Sequence, residues 1–160
     1  MTTSKNLFKL LFSIGVCLLT GASGAIFTSP AIPTWYAQIR KPSFNPPNWL
    51  FGPVWTTLYI MMGIAAYLVW RSSNAEPRKK KALLIFLAQL ALNALWTPLF
   101  FGLHNPLAGL VVIIILWLAI LLTIILFWKI SKTAGALLLP YLAWVGFATM
   151  LNASIFLLNR

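Results

Sequence analysis

Residues 107–128 read LAGLVVIIILWLAILLTIILFW, a run without a single charged side chain. A helix of about 20 such residues crosses the hydrocarbon core of a bilayer. Similar runs predict five membrane spans, at residues 7–27, 49–70, 82–101, 107–128 and 134–158. The runs are continuous rather than alternating in polarity, which excludes a transmembrane β-barrel. The sequence therefore predicts an all-α membrane protein, a single five-transmembrane-helix bundle over residues 1–160.

The composition supports the same class. Of the 160 residues, 61% are hydrophobic and only 8% are charged, whereas charged residues make up about 25% of a soluble domain. The net charge of +11 would favour nucleic acid binding in a soluble protein. Here the cations lie at the ends of the apolar runs, where they meet lipid headgroups. We therefore expect membrane lipid and no nucleic acid as a partner.

The distribution of Lys and Arg predicts the orientation of the chain. Nine of these residues fall on the side of the N-terminus and three on the other side. Cytoplasmic loops are enriched in Lys and Arg, so we expect a cytoplasmic N-terminus and an outside C-terminus. Lys5 and Lys9 before an apolar run that ends in small residues are also typical of a cleavable signal peptide. The run continues to Phe27, and this length favours a spanning helix. Cleavage of the run as a signal peptide would leave four helices.

The segment between the first two spans is unusually rich in aromatic residues and prolines. Residues 35–55 read WYAQIRKPSFNPPNWLFGPVW, with three tryptophans and four prolines. The other connections are short or simply charged, so residues 28–48 form the one sizeable element outside the spans. We expect this segment to lie over the outer mouth of the bundle.

Catalytic and transport machinery is hard to find in this sequence. Ionisable residues at mid-bilayer mark ion or proton pathways, and none lies deep inside a predicted span. The only acidic residue, Glu76, falls in a loop, so no acid is available to orient a catalytic base. His104 and Cys17 are far apart in the sequence and lack partners at metal-ligand spacing. We predict no catalytic residues and no metal site.

Aromatic and amide side chains are what remains inside the membrane. Trp144 lies several turns from the end of its helix, where an interfacial aromatic belt does not explain it, so we expect it to face an internal cavity. Asn93 and Asn152 are open to two interpretations. Buried amides commonly link helices by hydrogen bonds, and they also supply the few polar contacts that orient an apolar ligand.

At these residues the sequence closely resembles the translocator protein family (TspO/MBR), whose bacterial members are called tryptophan-rich sensory proteins. Three motifs carry the resemblance, in order along the chain. They are Trp35-Tyr36 with Lys41-Pro42, Pro46-Pro47, Phe51 and Val54-Trp55; Ala91-Leu92-Asn93 with Trp96 and Phe100-Phe101-Gly102; and Pro140-Tyr141-Leu142-Ala143-Trp144 with Phe147-Ala148 and Leu151-Asn152.

The resemblance implies a five-helix bundle, often a homodimer, with a pocket between helices that opens toward the first loop. In the family this pocket binds porphyrins and haem-related tetrapyrroles and, in animal members, cholesterol. Carried over by position, the ligand-binding residues are Tyr36, Pro46, Phe51, Trp55, Asn93, Trp96, Trp144, Ala148 and Leu151. Trp55 and Trp144 are expected to stack on a flat macrocycle. Arg40 and Lys41 at the mouth would attract porphyrin propionates or, equally, lipid headgroups.

One departure from the family concerns cholesterol. The proposed cholesterol motif of the animal proteins requires a tyrosine where this chain has Ala153, and Arg160 falls too late to complete it. The resemblance therefore does not extend to cholesterol recognition by this motif, which together with the absent targeting segment favours a protein of the bacterial inner membrane. The resulting expectation is a receptor or regulator that binds a tetrapyrrole as ligand and requires no cofactor. The alternatives are a light-driven, porphyrin-degrading enzyme and a passive porphyrin transporter.

Overall fold

The structure is a computed structural model that describes residues 2–73 and 76–160. Within these residues, five helices are long and apolar enough to cross a membrane. This confirms the predicted all-α five-helix bundle. The helices are α1 (Thr2–Ala31), α2 (Trp35–Gln38), α3 (Asn48–Trp70), α4 (Glu76–Thr97) with a π-helical turn (Pro98–Gly102), α5 (Pro106–Trp128), α6 (Lys132–Leu137) and α7 (Leu139–Leu158).

Two helices run well beyond the predicted spans. Helix α1 continues past Phe27 to Ala31, so the predicted segment 28–48 begins as helix and also contains α2. Helix α1 ends shortly before Pro33, because a proline disfavours helical geometry in the residue before it. Helix α4 begins at Glu76 rather than near residue 82. An acidic residue and a proline are both well tolerated in the first turn of a helix, so much of the charged linker is helical.

The last span is two helices rather than one. Helix α6 ends at Leu137 and α7 begins at Leu139. Pro140 lacks a backbone N–H, and its ring crowds the carbonyl four residues earlier. The chain therefore breaks at Leu138, whose N–H donates to the carbonyl of Gly135 at 3.1 Å.

The helices pack as antiparallel neighbours, and this gives the bundle two distinct ends. The starts of α1, α4 and α6 and the ends of α3 and α5 lie together, and we call this the lysine end. The opposite end carries α2, and we call it the cavity end. Helices α1 and α3 approach closely, since a Cβ atom at Gly63 would lie 2.5 Å from Cα of Ile14. Small residues allow such contact between membrane helices.

The buried side chains form two groups. The larger core extends from the middle of the bundle to the lysine end and includes Cys17, Met62 and Phe127. A smaller group at the cavity end consists of Tyr36, Phe100, Leu151 and Ile155. The smaller group joins α2 to the bundle and so fixes the connection between α1 and α3 over the site described next.

Candidate ligand-binding cavity

A cavity of about 630 Å³ lies at the cavity end of the bundle. Its walls come from α1, α3, α4 with its π-helical turn, and α7, and the α1–α3 connection covers it. Of the nine predicted site residues, eight line it: Tyr36, Phe51, Trp55, Asn93, Trp96, Trp144, Ala148 and Leu151. Pro46 is not among the lining residues. Its carbonyl instead accepts a hydrogen bond from Nδ2 of Asn45 at 3.0 Å, within the connection.

Helix α3 supplies an aromatic wall. Phe51, Trp55 and Tyr59 are four residues apart, so helical periodicity places them on one face. The rings of Trp55 and Tyr59 stack with centroids 5.6 Å apart. Phe51 meets Trp144 of α7 edge-on at 6.0 Å. Trp144 thus lines the cavity, although α7 begins at Leu139 and places this residue in its second turn rather than in mid-helix.

The π-helical turn after α4 shapes the neighbouring wall. A π-turn inserts an extra residue into a helix and occurs often at functional sites. Here it lies at Pro98–Gly102, directly after Trp96. The rings of Trp96 and Phe100 stack at 5.1 Å, whereas Phe101 stands perpendicular to Trp96 at 5.8 Å. The sequence contains Pro98 as a signal for this irregularity, but a π-turn was not predicted.

The connection between α1 and α3 is held in place by several contacts, and we call residues 32–47 the lid. The hydroxyl of Tyr36 donates a hydrogen bond to Oδ1 of Asn45 at 2.8 Å. Nζ of Lys41 donates to the carbonyls of Tyr36 and Ile39 and lies 4.8 Å from the centre of the Tyr36 ring. The ammonium group of Lys41 is therefore engaged inside the lid rather than free at its surface.

Two further contacts attach the lid to the bundle. The backbone N–H of Arg40 donates to Oδ1 of Asn159 at 3.0 Å, and Nδ2 of Asn159 donates to the carbonyl of Arg40 at 2.9 Å. On the other side, Trp35 stacks on His104 with ring centroids 4.7 Å apart. The exposed His104 adopts a positive φ of 51°, which places its ring against the lid.

The two asparagines of the cavity wall link helices. Oδ1 of Asn93 accepts from the Tyr59 hydroxyl at 2.6 Å, and its Nδ2 donates to the Tyr141 hydroxyl at 2.9 Å. Oδ1 of Asn152 accepts from Nε1 of Trp96 at 3.1 Å, and its Nδ2 donates to the carbonyl of Pro106 at 2.8 Å. The interpretation of these amides as links between helices is therefore correct. A role of Asn93 in orienting a ligand stays a prediction.

One polar group in the wall is left without a partner. Nε1 of Trp144 is buried and has no hydrogen-bond partner among the described residues. A buried donor in this state costs free energy until an acceptor reaches it. Trp144 therefore combines an aromatic face with an N–H group that is available to a ligand.

The wall formed by α1 was not predicted. Gly21, Ala22, Gly24 and Ala25 line the cavity. A Cβ atom at Gly21 would collide with the ring of Tyr59, and one at Gly24 would lie 3.1 Å from Oγ1 of Thr97. The absence of side chains at Gly21 and Gly24 therefore leaves space for Tyr59 of α3 and Thr97 of α4. The run of small residues was visible in the sequence, but it fits helix packing equally well.

The lining is aromatic and apolar, with few charges nearby. None of its residues is Asp, Glu, Lys, Arg or His. Across residues 2–73 and 76–160, no group of three or more His, Cys, Asp or Glu side chains comes close enough to hold a metal ion. Such a cavity retains a ligand chiefly by burying apolar surface and by stacking.

Comparison with known proteins identifies the family. The TspO/MBR family model matches residues 13–158. The chain is 51% identical to the tryptophan-rich protein TspO of Archaeoglobus fulgidus, over 96% of this chain and 99% of that protein. It is 39% identical to the tryptophan-rich sensory protein of Cereibacter sphaeroides, over 86% and 87% of the two chains, and 43% identical to the human translocator protein, over 74% and 70%. This chain belongs to the TspO/MBR family and is an integral membrane protein.

Proposed function

We propose that this protein is a membrane receptor or regulator that binds a tetrapyrrole in the aromatic cavity. The observation that carries the proposal is the convergence of aromatic side chains from three helices on one space of about 630 Å³. Ligand pockets typically enclose about 300–1,000 Å³ and are mostly apolar, with a few polar groups that orient the ligand. The relatives named as sensory and translocator proteins support a binding role rather than an enzymatic one.

Different residues of the cavity make different contacts with the ligand. Phe51, Trp55 and Trp96 offer aromatic faces to a flat macrocycle, and each ring pair contributes about 0.5–1.5 kcal/mol beyond burial. The free N–H of Trp144 donates a hydrogen bond to an acceptor on the ligand. The propionates of a porphyrin extend toward the lid, where Arg40 is exposed and Lys41 is engaged by backbone carbonyls.

Titration with protoporphyrin IX tests this proposal. Porphyrin absorbance, rather than tryptophan fluorescence, is the readout, because the variants themselves remove tryptophans. Trp55→Ala and Trp144→Ala should each weaken binding about tenfold or more, because each removes a large aromatic contact surface. Trp144→Phe should weaken it less than Trp144→Ala, because it removes the N–H donor but keeps one aromatic ring. Trp128→Phe, outside the cavity lining, is the control. Unchanged affinity in the Trp55→Ala/Trp144→Ala double variant would rule out this cavity.

We also propose the orientation and assembly of the chain. The excess of Lys and Arg at the lysine end supports a cytoplasmic N-terminus in a bacterial inner membrane. A homodimer formed through α4 is supported by Ala88 and Ala91, which are exposed on that helix, whereas Gly21 and Gly24 of α1 face Tyr59 and Thr97 inside the chain. Reporter fusions at both termini test the orientation. Crosslinking of single cysteines introduced at positions 88 and 91, in a Cys17→Ser background, tests the dimer.

A further inference from the structure

A second cavity, of about 340 Å³, lies at the lysine end, opposite to the aromatic cavity. Three helices contribute to it: Lys9 from α1, Trp70 from the end of α3, and side chains from the first three turns of α4. Lysines at helix ends commonly reach headgroups one at a time. Here Lys9, Lys79 and Lys80 converge on one space, which is a different arrangement from scattered surface cations.

The charges of this cavity do not balance within the chain. Glu76 is the only acidic residue of the sequence, and its carboxylate forms an ion pair with Nζ of Lys79. Lys9 and Lys80 have no second carboxylate side chain with which to pair. Nζ of Lys9 lies instead over the Trp70 ring, 5.2 Å from its centre. The cavity therefore holds two positive charges in excess, and their counter-ion must come from outside the chain.

The carbonyl of Ser72 helps to hold Lys79 at the edge of the cavity. The Lys79 side chain is only 13% exposed, and its Nζ also donates to the carbonyl of Ser72 at 3.5 Å. The hydroxyl of Ser72 is buried and has no partner in the part of the chain that the structure describes. Ser72 does not line the cavity, so the anionic group of a ligand meets the lysines and not this hydroxyl.

A second part of the cavity wall, on α4 next to Lys79 and Lys80, is apolar and reaches the lipid-facing surface. Leu83, Leu84 and Leu87 of α4 line it, and Leu84 and Leu87 are 55% and 51% exposed. Trp70 stands at the end of α3, the usual depth of an interfacial aromatic residue. A ligand that matches both the cationic part and the apolar part of the wall has an anionic head and an apolar tail.

We propose that this cavity binds the phosphate of an anionic phospholipid, with an acyl chain along the leucines of α4. Ammonium groups pair with phosphate oxygens through charge-assisted hydrogen bonds, and basic pockets between membrane helices are known to hold anionic headgroups. A soluble phosphate offers the same chemistry to the lysines, but it leaves the leucine wall unoccupied. The site is separate from the aromatic cavity and does not depend on the function proposed for it.

Native mass spectrometry of the detergent-solubilised protein tests the proposal. The protein is mixed with phosphatidylglycerol, with phosphatidylcholine of the same acyl chains, or with glycerol phosphate, and lipid adducts are counted. Phosphatidylglycerol should bind at least tenfold more tightly than phosphatidylcholine. The Lys9→Gln/Lys80→Gln variant should lose roughly 10- to 30-fold in affinity for phosphatidylglycerol, since a juxtamembrane lysine contributes about fivefold. The Lys9→Arg/Lys80→Arg variant should retain the affinity.

Lys129→Gln/Lys132→Gln is the matched control, because it removes the same charge at the same end of the bundle but outside the cavity. Retained affinity in this control would support the proposal. An equal loss in both Gln variants would show general attraction by the lysine end and overturn it. If glycerol phosphate bound as tightly as phosphatidylglycerol, the cavity would be a site for soluble phosphate. If phosphatidylcholine bound as tightly as phosphatidylglycerol, the lysines would have no role in binding. Either result would also overturn the proposal.

Discussion

Tyr59 of α3 and Asn93 of α4 are joined by a hydrogen bond of 2.6 Å in the wall of the aromatic cavity. The bond continues into the core, because Nδ2 of Asn93 donates to the Tyr141 hydroxyl and that hydroxyl donates to Oε1 of Gln89. Three helices are thereby linked at one depth. The cavity wall and the interior of the bundle thus share a single polar network.

Tyr59→Phe should destabilise the protein by about 1 kcal/mol. The substitution leaves Oδ1 of Asn93 buried and unpaired. A side-chain hydrogen bond in a membrane protein contributes about 0.6 kcal/mol on average. A buried polar group left without a partner costs about 1–3 kcal/mol, so a loss of about 1 kcal/mol is expected. Thermal unfolding in detergent measures it. Tyr67→Phe is the control, because the Tyr67 hydroxyl accepts an exposed hydrogen bond from Arg71. Equal shifts in both variants would argue against a special role of the network.

The fold was predictable because it depends on the apolar runs. A run such as residues 107–128 has one stable arrangement in a bilayer, and five of them fix the number of membrane spans. The π-turn at Pro98 and the break at Leu138 were not predicted. Proline is also compatible with a simple kink in a membrane helix, and the packing of neighbouring helices decides which irregularity forms.

The cavity was predictable in part, and for a different reason. Its aromatic walls follow from the family resemblance, whose motif positions place Phe51, Trp55 and Trp144 together. The α1 wall was missed because Gly21 and Gly24 fit close packing as well as they fit a cavity. Lys41 was expected at the mouth, but its ammonium group bonds within the lid, and only the folded lid brings the two carbonyls within its reach.

Gly63→Ala should separate α1 from α3. The added Cβ atom would lie 2.5 Å from Cα of Ile14, and a backbone cannot yield as a side-chain tip can. Overpacking of this kind typically costs about 1–3 kcal/mol, so the melting temperature in detergent should fall. Gly15→Ala is the control, because its Cβ atom would meet nothing within 4 Å and alanine is the better helix former. A Gly63→Ala variant as stable as Gly15→Ala would mean that the two helices do not approach as described.

Asn159→Ala should loosen the lid. It removes both hydrogen bonds to the Arg40 backbone, each worth about 0.5–1.5 kcal/mol. Cleavage by trypsin after Arg40 should therefore accelerate several-fold, whereas Lys41 is protected by the following Pro42. Asn105→Ala, which removes a cap of α5 at the same end, should leave cleavage at Arg40 unchanged. If both variants were cleaved at the native rate, the contact between Asn159 and Arg40 would not hold the lid in solution.

The lid should lose stability at high pH through Tyr36. Burial raises the pKa of the Tyr36 hydroxyl from its ordinary value of 10.0 to about 12. The folded lid therefore favours the neutral phenol, which donates to Asn45. This contribution is complete below pH 10 and is lost as the pH rises toward 12. The Tyr36→Phe variant lacks this group, so its stability should change less between pH 10 and 12 than that of the native protein. The difference in phenolate absorbance between the two proteins gives the titration of Tyr36. A midpoint near 10 would show that the ring is not buried between the lid and the bundle.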